Sequence, residues 1–160
     1  MILTTEYTGQ RGGKVSSVQA PTKIQEKFLC DLGVSAVKHT MDDRIHFIEH
    51  KGRQILSIDY SQATAQQMLL LLEHVRITVA QHSRESLLTL ADFTGAEIDR
   101  TVATKMKEVL TLDRPFVKKT AWLGTDSIPH AFMEGFQTFS RREIATFKNR
   151  EEALEWLVEG

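Results

Sequence analysis

Short apolar segments alternate with longer segments of helical periodicity through the last three-quarters of this 160-residue chain. The clearest apolar segment is Leu87–Ala91, which is followed by Asp92 and by a turn at Thr94-Gly95. A short apolar run between turn residues is typical of a buried strand. The pattern after Arg53 therefore predicts repeated units of strand, turn and helix.

Five strands and four helices are predicted in this way. The strands are Arg44–His50, Arg53–Tyr60, Leu87–Ala91, Val117–Leu123 and Ile144–Phe147, and the helices are Gln62–Gln81 and the segments that follow Asp99, Ser127 and Asn149. Their order, β-β-α-β-α-β-α-β-α, predicts an α/β fold with a mixed, largely parallel sheet, because strand–helix–strand units place consecutive strands in parallel.

Residues that favour helix starts precede each predicted helix. Ser61 is the expected N-cap of the first helix. For the second helix, Asp99 is preferred, and Thr94 with Glu97 is an alternative capping box that would start the helix earlier. For the third helix, Ser127 fits the cap and Pro129 the first turn. Asn149 with Glu152 forms a capping box for the last helix.

The N-terminal part has a different character. Residues 1–20 contain glycine and serine without apolar periodicity, which predicts a flexible arm in front of a single domain at 21–160. Within that domain, Pro21–Leu32 has one apolar face and is expected to form a helix, and Val34–Thr40 has strand-like alternation. The polar residues Met41–Asp43 are expected to form a turn between Val34–Thr40 and the strand that follows.

Two predicted helices have a clear apolar side. In Gln62–Gln81 the core-facing residues are Ala65, Met68, Leu69, Leu72, Val75 and Val79, and in the third helix region they are Ile128, Ala131, Phe132, Phe136 and Phe139. Leu70 and Ile77 lie on nearly the opposite side of the first helix. They are interpreted either as scattered exposed apolar residues or as a surface for a protein partner or for self-association.

Composition excludes several classes of protein. The formal net charge of −1 gives no general attraction to nucleic acid. Cys30 is the single cysteine, so an internal disulfide is impossible. The chain has no signal-peptide pattern and no apolar run near the roughly 20 residues of a transmembrane helix. The expectation is a soluble cytoplasmic protein.

Three aspartates lie at or just beyond predicted strand ends: Asp59, Asp92 and Asp126. Ligands of open α/β sheets bind at this edge, so the aspartates with Thr94 or Ser127 are a candidate Mg²⁺ and phosphoryl-transfer site. Helix N-termini and basic residues at the same edge are a candidate anion site. The simpler interpretation is that the aspartates stabilise turns and helix caps.

Motifs of established chemistry are absent from the sequence. It contains no HExxH, no G-x-S-x-G, no P-loop and no GxGxxG. The six histidines have no spacing that argues for zinc, and Cys30 fits a packed position in an apolar segment. We therefore predict no catalytic residue, no metal site and no cofactor.

Three strings resemble the STAS-like (SpoIIAA-like) family, relatives of bacterial anti-sigma-factor antagonists. They are ADFTGAEID at Ala91–Asp99, RPFVKKTAWLG at Arg114–Gly124 and FSRREIATFKNREEALEWL at Phe139–Leu157. The resemblance extends from Arg44 to Val158 and implies the STAS-like fold. Members similar to this chain mostly have no assigned activity.

The resemblance also implies a candidate regulatory loop. In regulatory members, an Asp-Ser-Ser-Gly string opens a helix, and a partner kinase phosphorylates its second serine. The matching string here is Asp99-Arg100-Thr101-Val102, in which Asp99 agrees, Thr101 keeps a hydroxyl at the phosphorylated position, and Arg100 and Val102 differ. The alternative is that Asp99 is only a helix cap and Thr101 a solvated residue of the first turn.

Three hypotheses for function follow. The first is a non-enzymatic interaction or regulatory module that acts through Thr94–Met106, through the outer face of Gln62–Gln81, or through both, with a homodimer as one form. The second is a carrier or sensor of a small apolar or anionic ligand held between helices and sheet. The third, ranked last, is a metal-assisted phosphoryl-transfer enzyme built on Asp59, Asp92 and Asp126.

Overall fold

Five strands pair in chain order to form one sheet. The computed structural model describes Met41 and residues 43–160, which belong to one unit, Met41–Gly160. The strands are β1 (Ile45–His50), β2 (Arg53–Asp59), β3 (Leu87–Asp92), β4 (Val117–Leu123) and β5 (Ile144–Phe147). β1 and β2 are antiparallel, and every later neighbour is parallel, which confirms the predicted mixed and largely parallel α/β sheet.

Four helices complete the described part of the chain. They are α1 (Ala65–Val79), α2 (Arg100–Leu112), α3 (His130–Ser140) and α4 (Arg150–Val158), with a short 3₁₀ turn at Thr125–Ser127. α1, α2 and α3 connect parallel strands that advance in one direction along the sheet. Right-handed crossovers in one direction place their helices on the same face, and all three contribute to one large core cluster.

The last helix covers the other face of the sheet. α4 follows the final strand and connects no pair of strands, so the handedness of crossovers does not place it on the face of the other three helices. Its buried residues Ala153, Leu154 and Leu157 pack in a second core cluster with apolar residues of β2, β3 and β4. Lys119 of β4 donates to the carbonyl oxygens of Trp156 and Glu159, both at 2.8 Å, which satisfies the C-terminal end of this helix.

The central strand is apolar on both sides, as Leu87–Ala91 predicted. Leu88 and Leu90 face α4, whereas Leu87 and Ala91 face the other three helices. β3 pairs with β2 on one side and with β4 on the other. A strand that is covered on both faces has no solvated side, which explains its continuous apolar run.

Two of the predicted helix starts are wrong. α1 begins three residues later than predicted, because Gln62 has a positive φ of 54° and Thr64, not Ser61, is the N-cap, in a capping box with Gln67. Ser127 does not cap α3. Its hydroxyl accepts a hydrogen bond from the Gly95 N–H at 2.8 Å, and Pro129 occupies the N-cap position of α3.

The other two starts are confirmed. Asp99 caps α2 and Asn149 caps α4, each through a side-chain oxygen that accepts from a backbone N–H of the first turn. The alternative cap at Thr94 with Glu97 is not used. The Glu97 carboxylate instead accepts from the Ala65 N–H at 3.1 Å and so caps the neighbouring helix α1.

Helix faces were predicted with three errors. Leu71 of α1 is buried although it was not assigned to the core, whereas Ala131 and Phe139 of α3 are exposed although they were. In α3 only Phe136 and Ser140 are buried, because the helix lies against α2 and presents a narrow stripe to the core. Phe139 lies instead beneath the Lys107 ammonium, 5.4 Å from the ring centre.

The start of the described region also differs from prediction. Met41, Asp43 and Arg44 have helical backbone, so the predicted turn at Met41–Asp43 is wrong and β1 begins at Ile45. The Arg44 guanidinium donates to the carbonyl oxygens of Asp59 and Ser61, which holds it beside β2. The predictions for residues 1–20, Pro21–Leu32, Cys30 and Val34–Thr40 lie outside the described residues. Among those described, no helix combines the length and apolarity needed to cross a membrane.

Candidate functional site

Two neighbouring strands end in the same three-residue turn. After β2, the Asp59 carboxylate accepts from the Ser61 N–H at 2.8 Å and from its hydroxyl at 2.5 Å. After β3, the Asp92 carboxylate accepts from the Thr94 N–H at 2.9 Å and from its hydroxyl at 2.6 Å. The two aspartates are also partners in the parallel register. Each carboxylate therefore stabilises its own turn.

Hydrogen bonds and ring contacts join the loops at this edge. The backbone N–H of Gln62 donates to the Thr94 carbonyl at 2.8 Å, and the Gly95 N–H donates to the Ser127 hydroxyl at 2.8 Å. The rings of Tyr60 and Phe93 stack with centroids 4.9 Å apart. The β2, β3 and β4 loops are thus held together at the carboxyl edge.

The candidate Mg²⁺ site at Asp59, Asp92 and Asp126, the last-ranked hypothesis, has no support in the structure. Asp59 and Asp92 use a carboxylate oxygen in their own turns, and Asp126 is exposed in the 3₁₀ turn. Within Met41 and residues 43–160, no group of three or more His, Cys, Asp or Glu side chains could hold a metal ion. The simpler interpretation of these aspartates as turn residues accounts for the contacts of Asp59 and Asp92.

Four of the predicted edge residues line one polar cleft. The cleft measures about 690 Å³ and lies at the ends of β3, β4 and β5. Its lining includes Asp92, Thr94, Asp126, Ser127, Lys148 and Arg150. Asp59 is not part of it. Lys148 and Arg150 bring positive charge to the side of the cleft formed by the end of β5 and the start of α4.

Thr101 lies in a groove between α1 and α2. It is exposed in the first turn of α2, two residues after Asp99, whose carboxylate accepts from the Val102 N–H at 2.8 Å. The groove measures about 470 Å³ and is lined by Leu69, Arg100, Thr101, Thr104, Lys105 and Glu108. Thr94 is not in this groove, so the predicted loop residues Thr94 and Thr101 belong to different surfaces.

An ion-pair network crosses between the two helices beside this groove. Glu73 of α1 pairs with Arg76 on its own helix and with Lys105 of α2, the latter at 3.0 Å. These hydrogen bonds, from Arg76 first and then Lys105, lower the pKa of Glu73 to about 2. The network fixes the position of α2 relative to α1 through exposed groups.

Leu70 and Ile77 are exposed, as the helical pattern predicted. Their side chains are 49% and 48% exposed, and they lie on the side of α1 that faces away from the sheet. Seven residues separate them, so they form one stripe along the helix. Their use as an interface stays a prediction.

Sequence reasoning missed a buried polar cluster beneath α1 and α2. It comprises the buried residues Tyr60, Thr89, Asp113 and Thr120 together with Arg142, which is partly buried, and it lines a cavity of about 40 Å³ against the sheet. The one available signal was a threonine inside each of two apolar strands, Thr89 and Thr120. Those positions are usually filled by apolar residues in a strand that is covered on both faces.

Replacement of Gly124 by alanine should destabilise the protein more than the same change at Gly52. Both glycines have positive φ, 63° and 75°, so both alanines carry the left-handed backbone penalty of about 1 kcal/mol. At Gly124 the new Cβ would lie 2.4 Å from the backbone nitrogen of Thr94, whereas at Gly52 it meets nothing within 4 Å. We expect Gly124→Ala to cost about 2 kcal/mol more in urea unfolding. Equal losses would contradict the close packing of these loops.

The chain was compared with models of known protein families, with curated proteins and with solved structures. No family model, no curated protein and no solved structure gave a significant match.

Proposed function

We propose that this chain is a non-enzymatic interaction or regulatory module of STAS-like type that acts in the cytoplasm. The observation that carries the proposal is the exposed surface of α1 and α2, where Leu70 and Ile77 are about half exposed on α1 and Thr101 lies in the groove between the two helices. Asp59 and Asp92 stabilise their own turns, and Asp99 caps α2. The exposed apolar residues Leu70 and Ile77 are therefore the feature that best supports a role in contact with another protein.

A second copy of the chain is the partner that this stripe fits best. In a two-fold arrangement with antiparallel α1 helices, Leu70 of one copy meets Ile77 of the other, and the reverse contact follows by symmetry. Leu70 and Ile77 of the two copies thus form two equivalent apolar contacts. Glu73, Arg76 and Lys105 lie between and beside them and supply a charged rim.

Replacement of Leu70 or Ile77 by glutamate should weaken self-association at least tenfold. Each substitution places a charge in the apolar stripe, and a loss of about 1.4 kcal/mol is a factor of ten in the dissociation constant. Analytical ultracentrifugation over a concentration series measures the effect. Leu112→Glu is the matched control, because Leu112 is 47% exposed on a different helix. A wild-type chain that stays monomeric at high concentration, or an equal effect of the control, would contradict the homodimer.

A phosphate on Thr101 would be stabilised by the start of α2. The unpaired N–H groups and the positive end of the helix dipole favour an anion in the first turn. Arg100 and Lys105 line the groove on the same side. This supports Thr101 as the regulatory position that the resemblance implies.

Replacement of Thr101 by glutamate should raise the free energy of unfolding by about 0.3–1 kcal/mol, which is the usual effect of an acidic side chain in the first turn. Thr111→Glu is the control, because Thr111 is exposed in the last turn of the same helix, where a negative charge is unfavourable. Urea unfolding at low salt measures both variants. Destabilisation by Thr101→Glu would argue against a phosphate at this position, and a kinase assay that never labels Thr101 would remove the switch.

The polar cleft favours a second candidate, a carrier or sensor of a small anionic ligand. Lys148 and Arg150 line it together with the Ser127 hydroxyl. This hydroxyl accepts from the Gly95 N–H and can still donate, whereas the Thr94 hydroxyl donates to Asp92. Hydroxyl and cationic donors are the groups that bind phosphate-like anions. This candidate places the ligand at the carboxyl edge of the sheet, outside the core.

Inorganic phosphate should raise the melting temperature if the cleft binds anions, because a ligand that binds only the folded state stabilises it. Lys148→Ala and Arg150→Ala should remove this rise. Lys118→Ala is the control, since Lys118 is exposed on β4 and outside the cleft. An equal rise with sodium chloride at the same ionic strength would exclude a specific site.

A further inference from the structure

The cavity between the sheet and helices α1 and α2 contains a carboxyl group that the proposed function does not use. Asp113 follows the last residue of α2 and is only 6% exposed. Its side chain lines the 40 Å³ cavity together with Tyr60, which is 3% exposed. Apolar residues from both helices and from the sheet form most of the remaining wall. The cavity is large enough for water and has polar partners for it.

No side chain or backbone group of the described residues donates a hydrogen bond to the Asp113 carboxyl. Arg142 also lines this cavity; its Nε donates to the Thr120 hydroxyl at 3.2 Å, whereas its Nη1 is buried without a hydrogen-bond partner among the described residues. The Thr120 hydroxyl in turn lies 2.9 Å from the Thr89 hydroxyl. Arg142 and Asp113 line the same cavity but do not form an ion pair with each other. A buried carboxylate in this setting has positive charges nearby but no hydrogen-bond donor among the described residues, so its desolvation is compensated only in part.

The charged and titratable groups around Asp113 come from three different segments. Tyr60 follows β2, Arg76 lies on α1 and Arg142 precedes β5. The positive charges of Arg142 and Arg76 favour the ionised carboxylate, and Arg114 opposes Arg142. Burial nevertheless dominates and raises the pKa of Asp113 from 3.8 to about 7. Burial also raises the pKa of Tyr60 and lowers that of Arg142.

We propose that Asp113 is a buried proton-binding switch that controls the corner between α2 and β4. The protonated carboxyl is neutral and stays in the cavity that it lines together with Tyr60. After loss of the proton, the carboxylate is stabilised by contact with solvent or by a closer contact with Arg142. Either change moves the Asp113 side chain and so alters the backbone at the C-terminal end of α2. The corner is held by Asp113 itself, whose carbonyl accepts from the N–H groups of Phe116 and Val117.

The direction of the pH dependence follows from the site. Between pH 4 and 7 the folded chain keeps a proton on Asp113 that the unfolded chain has lost, so this group favours folding at low pH. Its contribution is fully present below pH 4 and is lost as the pH rises through about 7. Most aspartates act in the opposite direction, because their carboxylates are stabilised in the folded state.

Urea unfolding between pH 5 and pH 8 tests the switch in the full chain. We expect the midpoint of the wild-type protein to fall over this range by more than that of Asp113→Asn, which keeps the shape of the side chain without the charge. At pH 8 the Asp113→Asn variant should be the more stable protein. Asp126→Asn is the control, since Asp126 is exposed and should leave the wild-type pH profile unchanged.

Two direct measurements keep the proposal falsifiable if a variant folds poorly. Carbon-13 NMR of the wild-type side chain should show Asp113 titrating near pH 7. Hydrogen exchange, corrected for intrinsic rates, should show the amides of Phe116 and Val117 opening more at pH 8 than at pH 6 in the wild type and not in Asp113→Asn. Titration of Asp113 near pH 4, or a corner whose exchange does not follow pH, would overturn the switch.

Discussion

The parallel pairing of β3 between β2 and β4 is the constraint on which the remaining structure depends. It places one apolar strand under helices on both faces, with Leu88 and Leu90 on one side and Leu87 and Ala91 on the other. Parallel neighbours require crossover helices, and their handedness places α1, α2 and α3 on one face. The opposite face is then left for α4, which follows the last strand.

The same parallel arrangement brings three strand ends to one edge. The turns at Asp59 and Asp92 repeat the same hydrogen bonds because both strands end in an aspartate followed two residues later by a hydroxyl residue. Backbone bonds then join neighbouring loops, and Ser127 adds a side-chain contact. A group of polar residues that looks like a catalytic constellation in the sequence is therefore largely occupied in holding loops together.

Three charged side chains at the surface of this fold are paired with one another, whereas the carboxyl group buried in its core is not. At the α1–α2 surface, Glu73, Arg76 and Lys105 are partly exposed and paired with one another. In the core, Asp113 has no such pairing and little solvent. The first setting supports the proposed role in recognition, and the second supports the proposed link between protonation and stability. One helix, α2, takes part in both, since Thr101 and Lys105 face the groove and Asp113 follows its end.

The alternation of apolar segments was sufficient to predict the order of strands and helices along the chain, and the residues before the helices predicted the caps at Asp99 and Asn149, because these depend on local periodicity and on side chains within one turn. The exposure of Leu70 and Ile77 followed from the same periodicity. The cap at Thr64 is also local, because Thr64 and Gln67 form a capping box within one turn, and the prediction of Ser61 missed it. Tertiary structure decided the roles of Glu97 and Ser127 and the exposure of Phe139, since each depends on a neighbouring loop or helix. It also brought Asp113 into one cavity with Tyr60, Thr120 and Arg142. No local pattern marks that cluster, because its members come from four separate segments that meet only when the helices pack on the sheet.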